Sequence, residues 1–139
     1  MNDYTTVLVE VLEFRMRHQL GLAPAHFNAL RNSAYSQKLK IFRDQLGRPI
    51  GYVAWANINK ASTLRLFNGW ILPVYPYEWT EGGICLPLDT MIAKNASTEG
   101  INQLKDFLRT QRAIVLSKRN NIRMYFRKSG KFIKKTIAV

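Results

Sequence analysis

One cysteine, two histidines, five prolines and nine acidic residues are what this sequence has little of. A lone cysteine, Cys85, excludes an intramolecular disulfide and fits a reducing compartment. His18 and His26 are the only histidines, and no close cluster of His, Cys, Asp and Glu is present. No metal site is therefore expected. A Gly-rich phosphate loop is also missing: Gly82-Gly83 is not followed by Lys and Ser or Thr, and Gly47 and Gly51 stand alone. There is no G-x-S-x-G nucleophile elbow. Cys85 lies in an apolar run, where a single cysteine reads more readily as core than as nucleophile. No apolar stretch approaches the ~20 residues needed to span a bilayer. Met1-Asn2-Asp3-Tyr4 lacks the basic start of a secretory signal. The expected location is cytoplasmic, with no membrane span.

What is abundant is positive charge. The chain has 139 residues, 21 of them Lys or Arg, and a net charge of +12. From Ile101 to Val139 there are eleven Lys or Arg and a single acid, Asp106. Such a surface attracts nucleic acid, anionic lipid or an acidic protein, or simply keeps the chain soluble. Charge alone does not choose among these. The length suits one domain over residues 1–139, large enough to bury a core without a metal or disulfide staple.

Periodicity gives the elements. Val7, Leu8, Val11, Leu12 and Leu20 predict a helix from about Thr6 to Leu20, with Gly21 as its C-cap. That puts His18 at a helix end. Pro24 opens a second helix that runs to about Tyr35. Lys38 to Arg43 alternates as a strand, and Asp44 to Pro49 is turn chemistry. Ile50 to Ala56 is the return strand, so continuously apolar that it should be central and covered on both faces. Asn57 to Phe67 reads as a loop with a helical turn, and Glu78 to Gly83 as a turn. Ile84 to Ile92 is a strand that Pro87 should bend or place at an edge. A helix follows from Thr98 to about Arg112, with a stripe of Ile101, Leu104, Phe107 and Leu108. Strands Ala113–Ser117 and Ile122–Phe126 pair through Lys118 to Asn121. Another turn at Ser129-Gly130-Lys131 leads to a basic tail. The order predicts an α+β fold: a mainly antiparallel sheet with packed helices.

Two side chains stand out. Asp89 is an acid between Leu88 and Met91, and a buried carboxylate needs partners. It also suits an N-cap. His18 at a helix end suits a cap, a surface residue or a proton acceptor. The run Arg123-Met124-Tyr125-Phe126-Arg127-Lys128 suits stacking on bases, or a strand with one core face and one solvated face.

In order along the chain come His18, Gln37, Pro49, Tyr52, Trp55-Ala56, Trp79, Gly82, Asp89, Ile92-Ala93 and Phe126-Arg127-Lys128-Ser129-Gly130-Lys131. This ordered set resembles the RTX-toxin-activating lysine acyltransferases, the hemolysin-activating enzymes, over nearly the whole chain. The pattern departs from theirs at Arg15, where serine is common three residues before the histidine, and at Ala54, where serine is common too. It departs again after Asp89, where Thr90-Met91-Ile92-Ala93-Lys94-Asn95 lacks the usual Trp and Pro-Phe-Gly. The resemblance implies a GNAT-like acyltransferase fold and transfer of a fatty acyl group to a lysine of a target protein such as a protoxin. The donor would be an acyl carrier protein thioester, with no other cofactor. His18 is the implied general base and Asp89 the carboxylate that orients it. Trp55, Gln37, Arg123 and Arg127 are the implied substrate-binding residues. The acidic carrier would meet the basic C-terminal half. A homodimer is left open. Two other readings remain: a basic nucleic-acid-binding module, and an acyltransferase-like protein that binds a partner without catalysis.

Overall fold

A computed structural model describes residues 4–69, 72–73, 75–118, 121–128 and 131–135. Helices α1 (Tyr4–Arg17) and α2 (Pro24–Tyr35) precede strands β1 (Leu39–Arg43) and β2 (Pro49–Ile58). Helix α3 (Lys60–Gly69), a 3-10 turn (Pro76–Trp79), strand β3 (Ile84–Ile92), helix α4 (Ser97–Arg109) and strands β4 (Ala113–Lys118), β5 (Asn121–Lys128) and β6 (Lys131–Lys135) follow. The six strands form one sheet in sequence order, antiparallel at every pairing except β3 with β4. The fold is α+β with helices on both sheet faces.

β2 is an inner strand of the sheet, buried along most of its length. Its alternation, reset by a one-residue bulge at Ile50, splits the core. Tyr52 and Ala54 face α1 and α2, where Leu8, Val11, Phe14, Leu30 and Ala34 pack. Ile50 and Val53 face α4, where Phe42, Cys85, Phe107 and Ile114 pack. A third cluster, around Trp79, Ala56, Ile58, Leu86 and Val115, continues the α2 side toward β5. Gly51 is required by close approach: a Cβ there would lie 2.6 Å from the Met91 carbonyl oxygen. The β1–β2 hairpin closes on Asp44, whose carboxylate accepts from the Leu46 and Arg48 amides at 2.9 Å each and from Arg48 Nε. The Arg48 amide bond is the main reason its acidity is increased. Gly47 supplies the positive φ of that turn, 81°.

Several sequence expectations are corrected. Gly21 is not the C-cap of α1. The left-handed residue is Gln19, φ 55°, with the Leu20 amide donating to the Arg15 carbonyl and the Gln19 amide to Met16. Residues 60–69 form a full helix rather than a helical turn, because the Asn59 side chain caps it by accepting from the Ser62 amide at 2.8 Å. The basic tail contains a sixth strand, β6, whose Lys131 and Lys134 line the sheet's edge; lysine on an edge strand opposes edge-to-edge pairing. Ile101 of the α4 stripe is 42% exposed, while Phe107 alone of the four is buried. The turns predicted at Arg119-Asn120 and Ser129-Gly130 lie outside the described residues. Among the described residues no helix is long and apolar enough to cross a membrane.

Candidate functional site

Asp89 reaches its place through a register skip. Ala54 pairs with Asp89 but Trp55 pairs with Pro87, so Leu88 is an extra residue in β3. A bulge of this kind turns two consecutive side chains to one face. Leu88 packs against the Trp79 cluster and Asp89 points toward α1. Pro87 is tolerated because the ladder to β4 has already ended: only Ile84↔Ala113 and Cys85↔Ile114 are paired. Among the described residues, β3 pairs with no strand on that side beyond Cys85.

The partners of Asp89 are Arg15 and Tyr52. Arg15 Nη1 donates to Asp89 Oδ2 at 3.0 Å and to the Tyr52 hydroxyl oxygen at 2.7 Å. Tyr52 donates to the same Asp89 oxygen at 2.7 Å. The ionic side chains are 6% and 8% exposed. Arg15 Nη2 also donates to the Gly21 carbonyl oxygen. Arg15 thus ties α1, the turn after it, β2 and β3 together. Its Nε–H has no acceptor among the described residues. Burial, then the hydrogen bond to Asp89, pushes the Tyr52 hydroxyl above the usual tyrosine range.

His18 lies on that same turn, one residue past α1, and is exposed. Its ring packs on Phe14, centroids 4.4 Å apart, and Phe14 meets the Tyr52 ring edge-on at 5.9 Å. His18 makes no hydrogen bond to Asp89. The two belong to one site, with Phe14 touching both the histidine and the tyrosine that holds the carboxylate, but not to one hydrogen-bonded pair. His18 lines a cleft of about 450 Å³ with Phe14, Leu20, Met91, Ile92, Ala93, Lys94 and Asn95. An adjoining cleft of about 380 Å³ is walled by Leu12, Arg15, Met16, Gln19, Leu20 and Leu22.

The other residues implied for substrate binding lie elsewhere. Trp55 packs on Phe107 of α4, centroids 4.5 Å apart, on the opposite sheet face. Arg127 is exposed and donates to the Arg109 carbonyl oxygen at the end of α4. Arg123 is exposed four residues away on the same side of β5. Gln37 has a backbone role. Its φ is 60°, its amide donates to Ala34, and the Lys38 amide donates to Ser33, so it ends α2 as Gln19 ends α1. Trp79, fully buried, donates to Ser33 Oγ at 2.9 Å, which donates in turn to the Trp55 carbonyl at 3.3 Å.

Arg15 and Tyr52 are the residues that reading the sequence did not assign. The signal was present: an acid between apolar residues demands a donor, and Arg15 is a cation on the apolar side of an amphipathic helix. Among the described residues no group of three His, Cys, Asp or Glu could hold a metal ion. No protein-family model matches this chain, and no curated protein matches it in sequence.

Proposed function

We propose that the chain is a protein lysine acyltransferase that moves a fatty acyl group from an acyl carrier protein thioester to a lysine ε-amine, with His18 as the general base. The position of His18 carries this reading. An exposed imidazole with no hydrogen-bond partner among the described residues lines a cleft of about 450 Å³ that also presents Phe14, Leu20, Met91, Ile92 and Ala93. An α+β sheet with helices on both faces is compatible with a GNAT-like acyltransferase fold. Among the described residues β3 has no strand partner on one side beyond Cys85, where the amides of an extended thioester arm can bond as an added strand does.

The chemistry then balances. The lysine ammonium loses its extra proton to solvent, a loss that desolvation in an apolar cleft favours. The free amine attacks the thioester carbonyl carbon, forming the C–N bond. The C–S bond breaks. His18 takes the second N–H proton and passes it to the departing thiolate, giving amide and thiol. Arg123 and Arg127, with Lys131 and Lys134, form the basic surface for the acidic carrier. That docking weakens as salt rises.

The test is incubation of the chain with an acyl carrier protein thioester and a lysine-bearing target. A hydroxylamine-stable acyl adduct is expected with the wild type and is lost in His18→Ala. Equal adduct in His18→Ala contradicts the base assignment. No adduct, together with tight nucleic-acid binding whose affinity falls steeply with salt, supports the basic-module reading instead.

A further inference from the structure

Arg15 is a buried cation whose two terminal nitrogens reach three different pieces of the molecule. Its Nη1 serves Asp89 on β3 and Tyr52 on β2, and its Nη2 holds the Gly21 carbonyl in the turn that carries His18. Backbone bonds hold the first half of that turn, from the Gln19 amide to Met16 and the Leu20 amide to Arg15, with Gln19 at φ 55°; they stop before Gly21. From Gln19 to Ala23 it has no regular secondary structure, and His18, Gln19, Gly21, Leu22 and Ala23 are exposed. A short exposed segment of this kind is mobile unless something ties it down. Arg15 is buried and made rigid by Asp89, so it can do so. A planar guanidinium presents its donors in a fixed fork, so holding the carboxylate with one nitrogen sets where the other meets the carbonyl.

We propose that Arg15 is a positioning residue, which grips the Gly21 carbonyl while Asp89 and Tyr52 hold its guanidinium, and so fixes the turn that keeps the His18 imidazole against Phe14 at the cleft. Asp89 then acts on His18 through Arg15 and the backbone rather than by a hydrogen bond to the imidazole. This rests on the acyltransferase reading for its meaning in catalysis, but not for its geometry.

Lysine at position 15 separates charge from grip, because one ammonium can pair with Asp89 but lacks the fork that also reaches Gly21. The measurement is the His18 ring resonances by NMR on the full chain, which ring current from Phe14 shifts away from free histidine. In Arg15→Lys those resonances are expected to move toward free histidine while the methyl signals of Val11 and Leu30 keep their dispersion. Acyl transfer should fall by about 10²-fold, as a misplaced catalytic group does. A second variant, Arg15→Met with Asp89→Asn, removes both charges at once, so no buried ion is left unpaired. It should give the same His18 shift in a folded chain. Unchanged His18 resonances in either folded variant overturn the clamp. If the wild type transfers no acyl group, the function fails, yet the NMR comparison still decides the clamp.

Discussion

The two faces of the sheet solve burial differently. Under α1 and α2 the interior contains hydrogen-bonded polar side chains: Arg15 with Asp89 and Tyr52, and Trp79 with Ser33. Under α4 the contacts are apolar, with Trp55 on Phe107 and with Val53, Ile114, Phe42 and Cys85 around them. Apolar packing is non-directional and holds two layers together without fixing atoms to a fraction of an ångström. Hydrogen bonds to a charged group are directional and costly to leave unmade. The α4 face therefore supplies adhesion, and the α1 face supplies position. His18 belongs to the face that positions, whereas Arg123 and Arg127, proposed above to meet a carrier, belong to the other.

The comparison can be broken by two substitutions of similar cost. Phe107→Ala should lose about 3–5 kcal/mol in urea unfolding through the cavity it leaves. Asp89→Ala should lose about 3–5 kcal/mol by stranding the Arg15 charge. Only Asp89→Ala should move the His18 ring signals. A shift of equal size in Phe107→Ala would show that the faces are not separate in this way.

A smaller effect comes from pH. Burial pushes the Cys85 thiol from its usual 9.0 up to about 12. Above pH 9 the unfolded chain loses this proton while the folded chain keeps it, so the unfolded state binds fewer protons and stability falls as pH rises. At pH 10.5 the loss should reach about 2 kcal/mol, reckoning about 1.4 kcal/mol for each pH unit. Tyr52, raised by burial and by Asp89, adds a loss of the same sign above its usual 10.0. Urea titrations at pH 8 and 10.5 should show the drop, and Cys85→Ala should lessen it. A drop of undiminished size in Cys85→Ala would assign it to the tyrosine face alone.

The smallest effect concerns the turn. Gln19→Gly relieves a left-handed side-chain residue and should stabilise the chain by up to about 1 kcal/mol. With Arg15 intact the His18 signals should stay in place. If they move, Gln19 rather than Arg15 fixes the turn.

Much of this architecture was legible because it repeats at short range. The apolar run of β2, the Asp44–Pro49 turn and the alternation of β1 each signal themselves within a few residues. Helix α3 was missed because its signal is one cap, Asn59, set before a weakly amphipathic stretch. The sixth strand was missed because lysine-rich sequence reads as tail, although lysine is also what guards an edge. Gln37 and Gln19 were opaque for another reason. Both take the left-handed conformation usual for glycine, and no pattern in the side chains marks it. His18 and Asp89 were visible as an oddly placed pair of groups. What joins them was not, since the Arg15 contacts span 37 and 74 residues of sequence and depend on a one-residue skip in β3.

The central claim is that the His18 imidazole drives transfer of an acyl group to a protein lysine. The most direct measurement is the intact mass of a target protein produced together with this chain, compared with the same target produced with His18→Ala. The account predicts a mass gain of one or more fatty acyl groups with the wild type and none with the variant. The same gain with both proteins, or none with a range of lysine-bearing targets and acyl carriers, would contradict it.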